Sequence, residues 1–173
     1  MKRKLTFRKA TVEDTSTIVQ LGADTFKAAF GPYHRPEDMA EYLAANFNDE
    51  LVQSLIEDVT LYFLLGYEGE KVFGYAMLKE GPHPEFVTGP NPIELVRFYV
   101  TPEVIGRGYG SELMRRCLEE ALEMGHTTIW LSTWQKNERA ISFYEKWGFK
   151  IVGNAIYVIG DDVTDDFIMQ WSE

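Results

Sequence analysis

The stretch Glu94-Leu95-Val96-Arg97-Phe98-Tyr99-Val100-Thr101-Pro102-Glu103-Val104-Ile105-Gly106-Arg107-Gly108-Tyr109-Gly110-Ser111 decides the fold. Ile93 to Val100 is rich in branched and aromatic residues and reads as a strand. Thr101-Pro102 ends it, and glycines at 106, 108 and 110 lead into a helix predicted from about Gly108 to Met124. Leu113, Met114, Cys117, Leu118, Ala121 and Leu122 recur on one face of that helix. The glycines let backbone N–H groups point inward as a nest, and the helix N-terminus adds positive partial charge, so an anionic phosphate group is the natural occupant. A merely tight strand-to-helix turn is the plainer alternative. Neither a Gly-x-Gly-x-x-Gly dinucleotide fingerprint nor the Gly-Lys-Ser/Thr end of a P-loop is present.

Upstream, Leu5 to Lys9 alternates as a strand, and Thr11 caps the acidic first turn of a helix carrying Ile18, Leu21, Thr25 and Phe26. Pro36-Glu37-Asp38 opens a second helix with Met39, Tyr42, Leu43 and Phe47 on its apolar side, and further helical turns follow Asn48. Thr60 to Tyr67 and Val72 to Leu78 read as an antiparallel pair joined at Glu68-Gly69-Glu70. Gly81 to Pro92 holds four of the seven prolines and is expected as a surface loop near the site. Downstream come a strand over Thr128 to Thr133, a short helix from Asn137 to Trp147 ended by Gly148, and closing strands over Lys150 to Ile159 and Asp166 to Trp171.

With 173 residues, 45% apolar and 25% charged, the chain suits one well-buried core, and one domain over residues 1–173 is expected. An aromatic content of 14% and the absence of low-complexity runs exclude disordered and fibrous classes. No apolar run is long enough to span a membrane, and Met-Lys-Arg-Lys leads into an alternating segment instead of a signal-peptide core. One cysteine, Cys117, excludes an intrachain disulfide framework and a multi-thiolate zinc site. It reads as a buried core residue inside its helical stripe. A cytoplasmic location is the default expectation. The formal net charge of −10 repels a nucleic-acid backbone. It serves solubility, and it also suits a cationic substrate drawn into an acidic cleft. His34, His83 and His126 lack metal-ligand spacing and read as surface histidines, so no metal is expected.

Strand plus glycine turn resembles the acetyl-CoA-binding motif of the GCN5-related N-acetyltransferases (GNAT), Gln/Arg-x-x-Gly-x-Gly/Ala, matched by Ile105-Gly106-Arg107-Gly108-Tyr109-Gly110. The family's second motif, Asn-x-x-Ala-x-x-x-Tyr-x-x-x-Gly-Phe, is matched in order by Asn137, Ala140, Tyr144, Gly148 and Phe149. Ile105 departs from the usual Gln or Arg, which removes one polar side-chain contact while the backbone donors remain, and Arg107 is available to compensate. The resemblance implies an α/β (α+β) fold with a central mixed, mostly antiparallel sheet of six to seven strands flanked by about four helices. Pro36 to Leu43, Ile129 to Asn137, and Gly160-Asp161-Asp162 through Asp166 to Met169 are similar to the Pai-type branch of bacterial spermidine/spermine acetyltransferases.

That resemblance implies acetyl-CoA as cosubstrate and a cationic amine, a polyamine, as acceptor. A peptide or other small amine, or a non-catalytic acyl-CoA sensor, is the alternative. Acetyl transfer needs a neutral nitrogen, a polarised carbonyl and a proton for the departing thiolate. Glu94 sits with Val96, Phe98 and Val100 by strict alternation and is the candidate base, against a solvated strand-end carboxylate. Acidic side chains between Glu37 and Glu50, or around Glu94, are expected to line the acceptor site. By resemblance Tyr144 is the general acid, against a packed core ring. Asn137 is a pantetheine contact, against a simple helix cap. The resemblance further places the backbones of Phe98, Tyr99 and Val100 along the pantetheine arm and Ile105, Gly106, Arg107, Gly108, Tyr109, Gly110 and Ser111 around the pyrophosphate. A monomer or homodimer fits the family, and neither nucleic acid nor membrane is expected as a partner.

Overall fold

Strands β2 (Leu61–Glu68) and β3 (Lys71–Lys79) are apolar on both sides because both sides are covered. Phe63, Leu65, Tyr75 and Met77 pack with Ile18, Leu21 and Val52, which belong to α1 (Thr15–Phe30) and α3 (Asp49–Glu57). Leu64, Ala76 and Leu78 face the opposite layer, α4 (Tyr109–Glu123), whose Leu113, Met114, Cys117 and Ala121 form the buried stripe. The computed structural model describes residues 4–173 and joins these elements to β1 (Leu5–Lys9), α2 (Pro36–Asn46), β4 (Pro92–Val100), β5 (Thr128–Trp134), α5 (Glu138–Lys146), β6 (Lys150–Ile159) and β7 (Asp162–Ser172). Sheet order is β1-β2-β3-β4-β5-β7-β6. Among the described residues β4 and β5 are the one parallel pair, so the sheet is mixed and mostly antiparallel as expected.

Several boundaries fall where local chemistry puts them. Asn48 caps α3 by accepting from the Leu51 N–H at 2.9 Å, which separates α2 from α3 and brings the α-helices among the described residues to five. Gly108, at φ 86°, is the residue before α4, and Gly125, at φ 90°, follows its end. The last strand is longer than its apolar run, because β6 and β7 form a hairpin about Gly160 that pairs from Ile159–Asp162 inward. Among the described residues no helix is long and apolar enough to cross a membrane.

The segment 81–91 corrects one expectation. Its Val87 is buried against Trp130 and Ile168, and Phe86 lies over Gly153. An apolar plug ties this loop to the sheet, and it does not border the cavity described below.

Gly74 on β3 sets how closely β4 approaches. A Cβ there would lie 2.5 Å from the Tyr99 carbonyl oxygen and 2.9 Å from Val100 Cγ1. Gly74→Ala is expected to lower stability by about 1–3 kcal/mol, read as a lower urea midpoint. An unchanged midpoint would mean that β4 shifts without cost.

Candidate active site

Parallel pairing of β4 with β5 covers only Pro92 with Thr128, Ile93 with Ile129 and Glu94 with Trp130. Beyond Glu94, β4 stays with β3 to Val100, whereas β5 follows β7 to the pair Trp134–Asp166. Each strand keeps its other neighbour, so the two splay apart. The β5-facing edge of β4 loses its ladder there, and its N–H and C=O groups are left for a ligand. A cavity of about 1000 Å³ opens in the splay and reaches helices on both faces of the sheet.

On the α4–α5 face the cavity meets the glycine turn. Gly106 (φ 74°) and Gly108 (φ 86°) take left-handed backbone, and a Cβ on either would meet nothing within 4 Å. The space over the turn is open. The N–H groups of Ile105 and Arg107 donate to the Pro102 and Val104 carbonyls at 3.3 and 3.1 Å. The first bond of α4 runs from the Glu112 N–H to the Gly108 carbonyl at 3.2 Å. Helix geometry leaves the donors before it to an outside partner, and Gly110 and Ser111 border the cavity. Arg139 and Lys146 of α5 border it too, and their charges suit phosphate.

Two residues of the turn place their side chains elsewhere. Tyr109 is 1% exposed and its hydroxyl donates to Glu68 Oε2 at 2.7 Å, so only its backbone faces the question of a ligand. The Arg107 guanidinium donates to the Glu103 carbonyl at 3.2 Å and lies over the Tyr109 ring.

Tyr144 stands on α5 between Phe98, Phe143 and Phe149, with ring centroids 6.3, 5.6 and 5.6 Å away. Its hydroxyl has no hydrogen-bond partner among the described residues, and the residue borders the cavity. Burial pushes this phenol well above its usual range, so it keeps its proton. Asn137 caps α5 by accepting from the Ala140 N–H at 3.2 Å. It also borders the cavity, so the cap and a ligand contact are compatible.

The opposite face corrects the strict alternation expected around Glu94. Met77 pairs with Arg97 and Leu78 with Leu95, so Val96 is an extra, bulged residue. The bulge reverses parity: Leu95, Phe98 and Val100 join the α4-side core, whereas Tyr99 joins the aromatic cluster beneath α1 and α2. Arg97 stacks over Phe47, its guanidinium 4.5 Å from the ring centroid. Glu94 therefore shares its face with Arg97 and Tyr99, not with Phe98 and Val100. It is half-buried beside Lys79, its cross-strand partner. Burial raises its pKa, and the Lys79 charge pulls it partly back.

Aromatic side chains dominate this half of the cavity. Phe26, Phe30, Tyr42, Trp134 and Tyr157 all border it, and Phe26 stacks on Tyr42 with centroids 4.6 Å apart. The Tyr42 and Tyr157 hydroxyls bond to one another and tie the β6–β7 hairpin to α2. From α2 the cavity receives Tyr42, Asn46 and Phe47, not the acidic residues expected there. Asp38 is buried and paired with Arg35 at 2.7 Å, and Glu37 and Glu41 are exposed on the outer side of the helix. Among the described residues the acidic groups that do border the cavity are Glu94 and Asp166.

His34 and His126 likewise differ from the surface expectation. The His34 ring is nearly covered and meets Asp162 at 2.9 Å, and His126 is buried with Glu80 at 3.2 Å. Among the described residues no three His, Cys, Asp or Glu side chains gather as a metal-holding group. Arg97, Ser132, Trp134 and Asp166 lie in segments read from the sequence, but none was singled out there as a site residue. Only strand pairing brings them to the cavity.

Comparison with known proteins adds the lineage of this arrangement. The family model described as Acetyltransferase (GNAT) family matches residues 23–149. An uncharacterized N-acetyltransferase encoded in the pepI 3′ region of Lactobacillus delbrueckii subsp. lactis is 30% identical over 159 residues, covering 91% of each chain. The uncharacterized N-acetyltransferase Rv2669 of Mycobacterium tuberculosis is 31% identical over 156 residues, covering 90% of this chain and 96% of that one. In architecture the chain is similar to the PaiA N-acetyltransferase of Thermoplasma acidophilum, solved with coenzyme A, with a TM-score of 0.80, 21% identity and coverage of 98% and 99%.

Proposed function

The chain belongs to the GNAT acetyltransferase family and is an acetyl-CoA-dependent N-acetyltransferase, and from that premise we propose that its acceptor is a cationic small amine of the polyamine class, acetylated by direct attack. The observation that carries the proposal is the cavity through the β4–β5 splay, which joins the glycine turn and Tyr144 on one face to Glu94 on the other. Residues 1–173 act as a single acetyltransferase domain in this reading, in keeping with one sheet that holds all seven strands of the described residues.

Acetyl-CoA supplies the thioester. The open turn at Gly106 and Gly108, the first N–H groups of α4, and Arg139 with Lys146 are suited to its phosphates. Asn137 and the freed edge of β4 at Phe98, Tyr99 and Val100 are suited to the amide-bearing arm. Glu94 takes a proton from the acceptor ammonium, directly or through water, and the neutral amine so formed attacks the thioester carbonyl. Tyr144 gives its proton to the departing sulfur.

Aromatic walls hold alkylammonium groups through ring faces, and Glu94 supplies opposite charge. One feature favours a second reading, a peptide amine. Arg97 borders the same half, and its Nη1 is buried without a hydrogen-bond partner, a donor suited to a peptide carbonyl.

Thiol release from acetyl-CoA with spermidine, with an N-terminal peptide and without acceptor separates these readings. Spermidine is expected to give the highest kcat/KM, and added salt is expected to lower it. A preference for the peptide, or a salt-independent value for spermidine, overturns the polyamine reading. Because burial raises the Glu94 pKa, the wild-type rate should climb with pH above the ordinary carboxylate range. Glu94→Gln should cost most near neutral pH and least where the amine is already deprotonated. A loss equal at every pH would remove Glu94 as base.

A further inference from the structure

Asp166, on β7 opposite Trp134, is an acidic group that the mechanism above leaves unused. It is 5% exposed and borders the acceptor half of the cavity. Its Oδ2 accepts from the Ser132 hydroxyl at 2.8 Å, while Oδ1 is buried with no hydrogen-bond partner. No ion pair among the described residues includes it. Burying a carboxylate oxygen without a partner is costly, and a cation entering from the cavity that Asp166 borders would offset that cost.

We infer that Asp166 is a specificity residue that reads a second positive charge on the acceptor, selecting amines with an ammonium group far from the reacting nitrogen. The inference rests on the polyamine reading and deepens it. Glu94 and Asp166 lie on the same face of the sheet but at different levels. Glu94 is opposite Trp130 and Asp166 is opposite Trp134, four residues along β5 and so roughly 13 Å apart in that direction. One nitrogen cannot serve both carboxylates, whereas the two ends of a long diamine can. Trp134, the cross-strand partner of Asp166, and Phe30, 6.4 Å from it between centroids, border the cavity; the Lys136 ammonium lies over the Trp134 ring at 5.9 Å, which leaves Phe30 and the other Trp134 face to the methylene chain. The basic side chains bordering the cavity have other contacts or other places in the fold: the His34 ring meets Asp162, Arg97 stacks on Phe47, and Arg139 and Lys146 lie on α5. Asp166 thus has no ion-pair partner among the described residues, and burial raises its pKa, a rise that the Ser132 and Thr164 hydroxyls partly offset.

The test compares kcat/KM for diaminooctane, ethylenediamine and octylamine in wild type and in Asp166→Asn. Wild type is expected to favour diaminooctane over both others. In Asp166→Asn that preference should shrink by roughly tenfold to a hundredfold, carried by KM, the size of a lost hydrogen bond to a charged group. Acetyl-CoA affinity reports whether the variant is folded, since the glycine turn lies across the sheet. If that affinity is lost, the same ratio is read in Asp166→Ser. A preference for diaminooctane that survives the substitution overturns the role of Asp166 and leaves the polyamine reading in place. A wild type that shows no preference for the long diamine, or acetylates none of the three, overturns both together.

Discussion

Gly108→Asp is expected to cut acetyl-CoA affinity by a hundredfold or more, measured by calorimetry, while the protein remains folded. Position 108 has φ 86°, and a Cβ there meets nothing within 4 Å. The steric cost to the fold is therefore confined to left-handed strain of about 1–2 kcal/mol, and aspartate is among the residues that tolerate it best. Its carboxylate would stand at the mouth of α4, where the proposed mode of binding puts the diphosphate of acetyl-CoA. Two unit charges about 4 Å apart in a partly screened site repel by roughly 4 kcal/mol, which is the larger effect. Gly108→Ala carries the strain without the charge and should lose tenfold at most. Equal losses in the two variants would assign the effect to backbone geometry, and unchanged affinity in Gly108→Asp would remove the turn as the phosphate site.

Tyr144→Phe should lower turnover by roughly ten- to a thousandfold with little change in acetyl-CoA affinity, the range of general acid catalysis. The ring is gripped by Phe98, Phe143 and Phe149, and phenylalanine keeps all three contacts. Only the hydroxyl is lost. Because that hydroxyl has no partner among the described residues, its removal strands no buried donor or acceptor, and the melting temperature should hardly move. A drop confined to kcat marks an interaction made in the transition state. Turnover equal to wild type would return Tyr144 to the hydrophobic core and leave the sulfur to be protonated by solvent.

The amino-acid sequence by itself located the elements and the glycine turn and Asn137 that border one half of the cavity. Helix α4 was expected from about Gly108 to Met124 and spans Tyr109–Glu123. That agreement is physical: a left-handed glycine, an apolar stripe at helical spacing and a terminal glycine act within one segment, and a segment carries them all in its own order of residues. For the same reason the turn and Asn137, both local to a helix N-terminus, were legible. The acceptor half was not. Whether Glu94 shares a face with Phe98 or with Tyr99 depends on the bulge at Val96, and a bulge is decided by how β4 registers against Met77 and Leu78 on another strand. Glu37 and Glu41 were plausible cavity residues until α2 docked with Tyr42, Asn46 and Phe47 inward. Asp166 reads in the sequence only as the first residue of a closing strand, and pairing β7 with β5 buried it beside Ser132. Period-two alternation counts along one strand, whereas burial, charge and the width of the splay are properties of neighbours, which only the tertiary structure brings together.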